Sequence, residues 1–120
     1  MKTMKHTNRV YLRNDFGEPY GCLLLRRADD VLQCGISICS PNDQFCKWTG
    51  YKLATERLMN SPFQVHASEL LWGGDETYWN FINDLCEHAR ISSRSWPAIH
   101  TTDVQAIRTA LKYLYRAGEV

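Results

Sequence analysis

From Val31 to Cys39 the chain reads VLQCGISIC, which places Leu32, Cys34, Ile36 and Ile38 on one side of an extended backbone and Gln33, Gly35 and Ser37 on the other. A period of two fits a β-strand and no helix. A lone strand leaves its N–H and C=O groups unpaired, so this segment requires neighbours. The preceding sequence supplies them. Arg9 to Arg13 (RVYLR) alternates polar and apolar residues, Asn14 to Pro19 (NDFGEP) is rich in turn formers, and Tyr20 to Arg27 (YGCLLLRR) is a second apolar run, followed by Ala28-Asp29-Asp30. The expectation is an antiparallel β-meander over residues 9–39.

Helical signals follow. Ser40 stands where an N-cap is wanted, Pro41 at a first helical position and Asp43 in the first turn, where a negative charge suits the helix dipole. Asn60-Ser61-Pro62 ends the segment, because the residue before proline is pushed out of helical geometry. A first helix is expected over 40–60, then a short strand at Phe63 to His66 and a hinge or loop at Gly73-Gly74. Asp75 can cap a second helix over 75–90, with Tyr78, Ile82, Leu85 and Ala89 as its core stripe. Ile91 to His100 reads as loop. Thr102 and Gln105 form a capping box that opens a third helix over 102–117, with Val104, Ile107, Leu111 and Leu114 inward and Gly118 as the stop. The 120 residues thus imply one domain of α+β class, an N-terminal antiparallel β-sheet packed with about three α-helices.

A chain of this length buries about two-thirds of its unfolded surface, which leaves a modest core and favours self-association. Its formal net charge of +1 gives no field to hold duplex DNA, although two or three placed arginines suffice for a small anion. The basic opening, Met1 to Arg9, lacks the apolar run of a secretion signal, and no stretch of some 18 apolar residues occurs. A cytosolic protein without a membrane partner is expected.

Five cysteines, Cys22, Cys34, Cys39, Cys46 and Cys86, include no CxxC pair, and their spacings suit small packed hydrophobes better than a zinc site. The four histidines, His6, His66, His88 and His100, show no metal spacing, and each reads as a surface residue. No P-loop, GxGxxG, HExxH or nucleophile elbow is present. These features give no reason to expect an enzyme, a metal or a cofactor.

Several residues depart from plain packing. In the first helix Cys46, Gly50, Leu53, Ala54 and Arg57 project to one side, with Arg57 near its middle. Arg57 can pair within the fold, reach the helix end or bind phosphate; Gly50 permits close approach of a backbone or a flat ligand. Tyr78-Trp79-Asn80-Phe81 carries more aromatic surface than one stripe buries, so Phe81 is either core or a ring that stacks on a base. Arg108 and Lys112 border the third helix's apolar face beside Tyr115, as solvated cations or as phosphate contacts, and Arg26-Arg27 adds a basic site at a strand end.

The segment Gly35 to Phe45 (GISICSPNDQF), followed by Gly50, Leu53-Ala54 and Arg57, resembles a pattern of small bacteriophage proteins: cysteine, x, proline, x, aspartate, x, phenylalanine, then glycine, alanine and arginine. It is similar to the Thoeris anti-defence family of cyclic ADP-ribose sponges, over about a quarter of the chain. The resemblance implies an α+β protein that assembles as a homo-oligomer in the bacterial host cytoplasm and sequesters a cyclic nucleotide without cleaving it. Phe81 would then stack a purine, Arg108 would bind phosphate and Arg27 a second anion, with Arg57 and Asn83 completing the candidate ligand set. Asp43 and Arg57 have an architectural reading as well. The alternative is a protein-binding inhibitor of a bacterial defence complex, anti-CRISPR-like, anchored by Trp72, Trp79 and Trp96. A nucleotide-modifying enzyme is a third class, disfavoured by the missing metal-ligand spacing.

Overall fold

A computed structural model describes residues 7–39, 44–95 and 101–117, with backbone only at 116–117. Strands β1 (Thr7–Arg13), β2 (Pro19–Ala28), β3 (Val31–Ile38) and β4 (Phe63–His66) form one antiparallel sheet in the order β1-β2-β3-β4. Helices α1 (Lys47–Asn60), α2 (Ala67–Leu71), α3 (Asp75–His88) and α4 (Thr101–Ala117) complete an α+β fold, with a 3-10 turn at Ser93–Ser95.

The turns explain the meander. In the β1–β2 connection the Asn14 side-chain oxygen accepts the N–H groups of Phe16 and Glu18, while Gly17 takes a φ of 79°. Asparagine mimics a backbone turn in this way, and glycine enters left-handed space without a Cβ penalty. Asp29-Asp30 closes the β2–β3 hairpin, with Asp29 at φ 57°. The expected strand at Phe63 to His66 pairs with Val31 to Cys34.

Both faces of the sheet are covered. Leu23 and Leu25 of β2, with Leu32, Cys34 and Ile36 of β3, join the larger core with α2, α3 and α4, whereas Cys22 and Leu24 pack with Ala54 and Leu58 of α1. The run CLLL in β2 is therefore apolar throughout, because successive side chains enter opposite cores. Tyr78, Ile82 and Leu85 of α3 and Val104, Ile107, Leu111 and Leu114 of α4 are buried as their helical spacing requires. Buried Asp103 accepts the N–H of Arg13 at 3.2 Å, tying α4 to the irregular end of β1.

The first helix departs from expectation. It begins at Lys47 with Cys46 as N-cap, and residues 44–46 are not helical, so 40–60 overstates it. Ser40, Pro41 and Asp43 lie outside the described residues. The physical reason is Phe45, whose ring packs edge-on against Tyr11, with centroids 6.3 Å apart, and lies against Gly50. The apolar face is also rotated: Gly50, Ala54 and Leu58 are buried, whereas Leu53 is 40% exposed. Gly35 sets that rotation. A Cβ on Gly35 would lie 2.3 Å from the Ala54 carbonyl oxygen and 2.7 Å from the Leu58 nitrogen, so the helix backbone rests on the strand.

Smaller corrections concern the later helices. Gly74, not Asp75, is the N-cap of α3, which ends at His88 and not at residue 90. Helix α4 opens at Thr101, which puts Thr102 inside the first turn; Gly118 lies outside the described residues.

Two measurements test this packing. Gly35→Ala forces a methyl into helix backbone and should lower stability by about 3 kcal/mol, whereas Gly50→Ala meets the Phe45 ring, which must shift, and the Ser37 hydroxyl, a cost that about 1 kcal/mol of helix propensity offsets, so its loss in urea unfolding should be the smaller of the two. Burial raises the Cys22 and Cys86 thiols to about 11 and raises Cys34 as well. Folding thus favours the protonated thiols, a contribution present below the unfolded value near 9 and lost as pH climbs toward 11. Unfolding free energy should decline across that alkaline window.

Candidate functional site

Because β4 pairs with β3 only from Val31 to Cys34, the next residues of β3, Gly35 and Ile36, have no β4 partner on that edge. The end of α1 and the end of α3 meet there around a cavity of about 410 Å³. Cys34, Gly35 and Ile36 form its strand wall, Arg57 and Ser61 come from the end of α1, and Leu85, His88, Ala89 and Arg90 come from the end of α3. The volume lies in the range of pockets that enclose small organic ligands.

Arg57 answers to the open edge. Its Nη1 donates to the Ile36 carbonyl oxygen at 2.6 Å, occupying an acceptor that a longer β4 would have engaged. A guanidinium has five N–H groups, and this bond uses one of them. The fork is thereby oriented at the cavity wall, and an arginine on an apolar helix face is explained by its place at the sheet margin.

Arg90 is placed by a helix stop. The Arg90 N–H donates to Glu87 O and the Ile91 N–H to Cys86 O, both at 3.0 Å, the paired pattern of a Schellman motif with Arg90 at the left-handed position. Its φ is 59°. Glycine is the usual occupant there, and an L-residue with a side chain is disfavoured by about 1–2 kcal/mol. The sequence His88-Ala89-Arg90-Ile91 offers no glycine, so an arginine takes the strained position and lines the cavity.

His88 is held between two contacts. Its ring meets Phe63 edge-on, with centroids 5.5 Å apart, and its Nε2 lies 2.9 Å from the Ser61 carbonyl oxygen. The Ser61 hydroxyl lies 3.4 Å from the same nitrogen. An Nε2 that donates to the carbonyl carries the proton and has no lone pair to activate that hydroxyl, so the pair does not form a nucleophile and base. The lining residues contain two guanidiniums and one imidazole but no carboxylate. Such a surface suits an anion with several oxygens, which arginine forks grip in bidentate fashion.

The other candidate residues lie elsewhere. Phe81 is 4% exposed in the core, its ring centroid 6.1 Å from that of Phe63, so it offers no open face for a base within this chain. Arg108 sits over the Tyr78 ring and donates through Nη2 to Gly73 O and to Asp75 Oδ1, each at 3.2 Å. Arg27 stacks on Tyr115 and its Nη1 donates to the Leu114 and Tyr115 carbonyls at the end of α4, where a cation complements the helix dipole. Asn83 is half-buried on α3, and Lys112 is exposed. Of the five candidate ligand residues, Arg57 alone lines the cavity. Trp72 is 88% exposed and Trp79 is also exposed; Trp96 lies outside the described residues.

The sequence reading missed Arg90, Ser61 and the role of His88. A usable signal existed for Arg90: a helix that stops without glycine or asparagine must place some other residue in left-handed space. Cys22, Cys34 and Cys86 are buried as packed hydrophobes, while Cys46 is exposed, its thiol lowered from the ordinary range chiefly by the backbone N–H of Thr49. Among the described residues no three His, Cys, Asp or Glu side chains gather to hold a metal ion. No described helix is long and apolar enough to cross a membrane. No family model matches the chain, and no curated protein or solved structure matches it either.

Arg90→Gly should raise unfolding free energy by about 1 kcal/mol, since it relieves the left-handed strain and leaves the Schellman hydrogen bonds intact. Thermal or urea unfolding measures this directly. A loss of stability would place the Arg90 side chain in the packing of the fold.

Proposed function

We propose that the chain captures a small phosphate-bearing ligand, a cyclic nucleotide of the cyclic ADP-ribose kind, and holds it without cleaving it. The reading that goes with the bacteriophage resemblance is a counter-defence protein that withholds an immune signal in the host cytoplasm, acting as a homo-oligomer. One observation carries it: a carboxylate-free cavity lined by Arg57, by Arg90 in a conformation the chain adopts at a disadvantage, and by His88. Strain retained beside a cavity is a pointer toward function. The ligand assignment moves accordingly. Arg57 and Arg90 grip the phosphates, the imidazole of His88 supplies a flat surface for a base, and Leu85 and Ala89 meet the apolar parts. Phe81 supports this site from below through Phe63, and Arg108 and Arg27 brace helices. The Ser61–His88 geometry supports binding over hydrolysis.

A second reading rests on the exposure of Trp72 and Trp79, which would anchor a partner protein as inhibitors do. It calls for co-elution with a host protein that Trp72→Ala abolishes.

The test is a retention assay. Purified protein is mixed with cyclic ADP-ribose isomers and cyclic di- and trinucleotides, freed of unbound probe, heated, and the released material analysed. Intact probe is expected from the parent chain. Arg90→Gly should lose retention while melting no lower than the parent, and Arg57→Lys, which keeps a donor for Ile36 but lacks the fork, should weaken it about tenfold or more. Absence of retention for every probe, chemical alteration of the probe, or undiminished retention by Arg90→Gly would overturn the proposal.

A further inference from the structure

The opposite end of α1 carries a second surface with a different composition. Trp48 is 68% exposed at the start of the helix, and its ring lies 6.5 Å from that of Tyr51 at an interplanar angle of 34°. Arg9 of the edge strand β1 places its guanidinium 4.1 Å from the Tyr51 centroid and donates through Nη1 to the Tyr11 hydroxyl at 3.1 Å. Lys47 sets its ammonium 5.0 Å from the Tyr11 ring. Rings and cations therefore alternate across one continuous face formed by β1 and the first turns of α1.

Among the described residues the charge on this face has one sign. Residues 7–13, 19–28 and 44–55 contain no Asp or Glu, and the first turn of α1 has no acidic residue. Helix N-termini favour carboxylates, so Lys47 at the first helical position works against the dipole. A helix assembled for stability alone would carry the reverse charge there.

We propose that this face binds single-stranded nucleic acid over a few nucleotides, with a base stacked on Trp48 and the phosphates following Arg9 and Lys47. The chemistry selects that occupant. Exposed aromatic faces accept any base, and interleaved cations track a flexible backbone. A membrane surface would be met by an apolar helix face, but the buried residues of α1, Gly50, Ala54 and Leu58, are turned into the sheet. A duplex hides its base faces and requires a broader field than a chain of net charge +1 provides. The site is separate from the cavity at the far end of α1, and neither depends on the other.

Fluorescence anisotropy of labelled single-stranded RNA and DNA of about ten nucleotides, with a duplex and an acidic peptide as competitors, tests the assignment. Either single strand should bind at low salt, and the comparison of RNA with DNA identifies the preferred source. Trp48→Ala, at an exposed position, should weaken binding about tenfold. Lys47→Gln should reduce the slope of log affinity against log salt by about 0.7, the value for one phosphate contact on a single strand. Arg90→Gly should bind the oligonucleotide as the parent does. Absence of binding to both strands at low salt, equal displacement by the acidic peptide, or indifference to Trp48→Ala at unchanged melting temperature would overturn the proposal.

Discussion

Contact between the backbone of α1 and Gly35 of β3 fixes the rest of the molecule. The space that a Cβ would need is filled by the Ala54 carbonyl and the Leu58 backbone, so helix and strand approach more closely than side chains ordinarily permit. Once Ala54 and Leu58 are seated there, the helix has no rotational freedom left. Arg57, adjacent to Leu58, must emerge at the sheet margin, where β4 has ended and the Ile36 carbonyl is open to it. An arginine that would be expensive to bury in the middle of a core is thus met by a backbone acceptor and by a cavity.

The remaining arginines illustrate how environment separates architectural from ligand-facing roles. Arg27 has the carbonyls at the end of α4 and the Tyr115 ring, and Arg108 has the Gly73 carbonyl, Asp75 and the Tyr78 ring. Arg27 thus joins β2 to α4, and Arg108 joins α4 to the start of α3. Arg57 and Arg90 border a cavity whose walls include no acid. The left-handed backbone at Arg90, held beside this cavity, is the physical argument behind the proposed site.

The two ends of α1 thereby acquire distinct characters from one placement. Its C-terminal end adjoins the open, cationic cavity, while its N-terminal end lies beside β1, with Trp48 exposed and half-buried Tyr51 and Tyr11 bordered by Arg9 and Lys47. The Phe45 ring explains why the N-terminal end sits where it does. By packing on Gly50 and Tyr11 it holds residues 44–46 out of the helix and delays the first turn to Lys47.

Local chemistry alone determined the elements: alternation in VLQCGISIC and its neighbours set the meander, Asn60-Ser61-Pro62 ended α1, and the spacing of Tyr78, Ile82 and Leu85 and of Val104, Ile107, Leu111 and Leu114 set the inward faces of α3 and α4. Those signals lie within a few residues of one another and persist in the folded state. The start of α1 was misread because a ring and a glycine five positions on, not a local cap, decide it. The candidate site was legible only at Arg57. Phe81 stayed open between core and ligand because helical projection shows an angle and not what fills the space opposite, here Phe63 and the core. Arg90 and His88 became neighbours of Arg57 only when β4 stopped short and two helix ends converged on the uncovered edge, in a cavity whose lining runs from Cys34 to Arg90, 56 positions apart in the chain. Periodicity reports which way a side chain points; the meeting of distant ends depends on strand length and packing depth, and these belong to the tertiary structure.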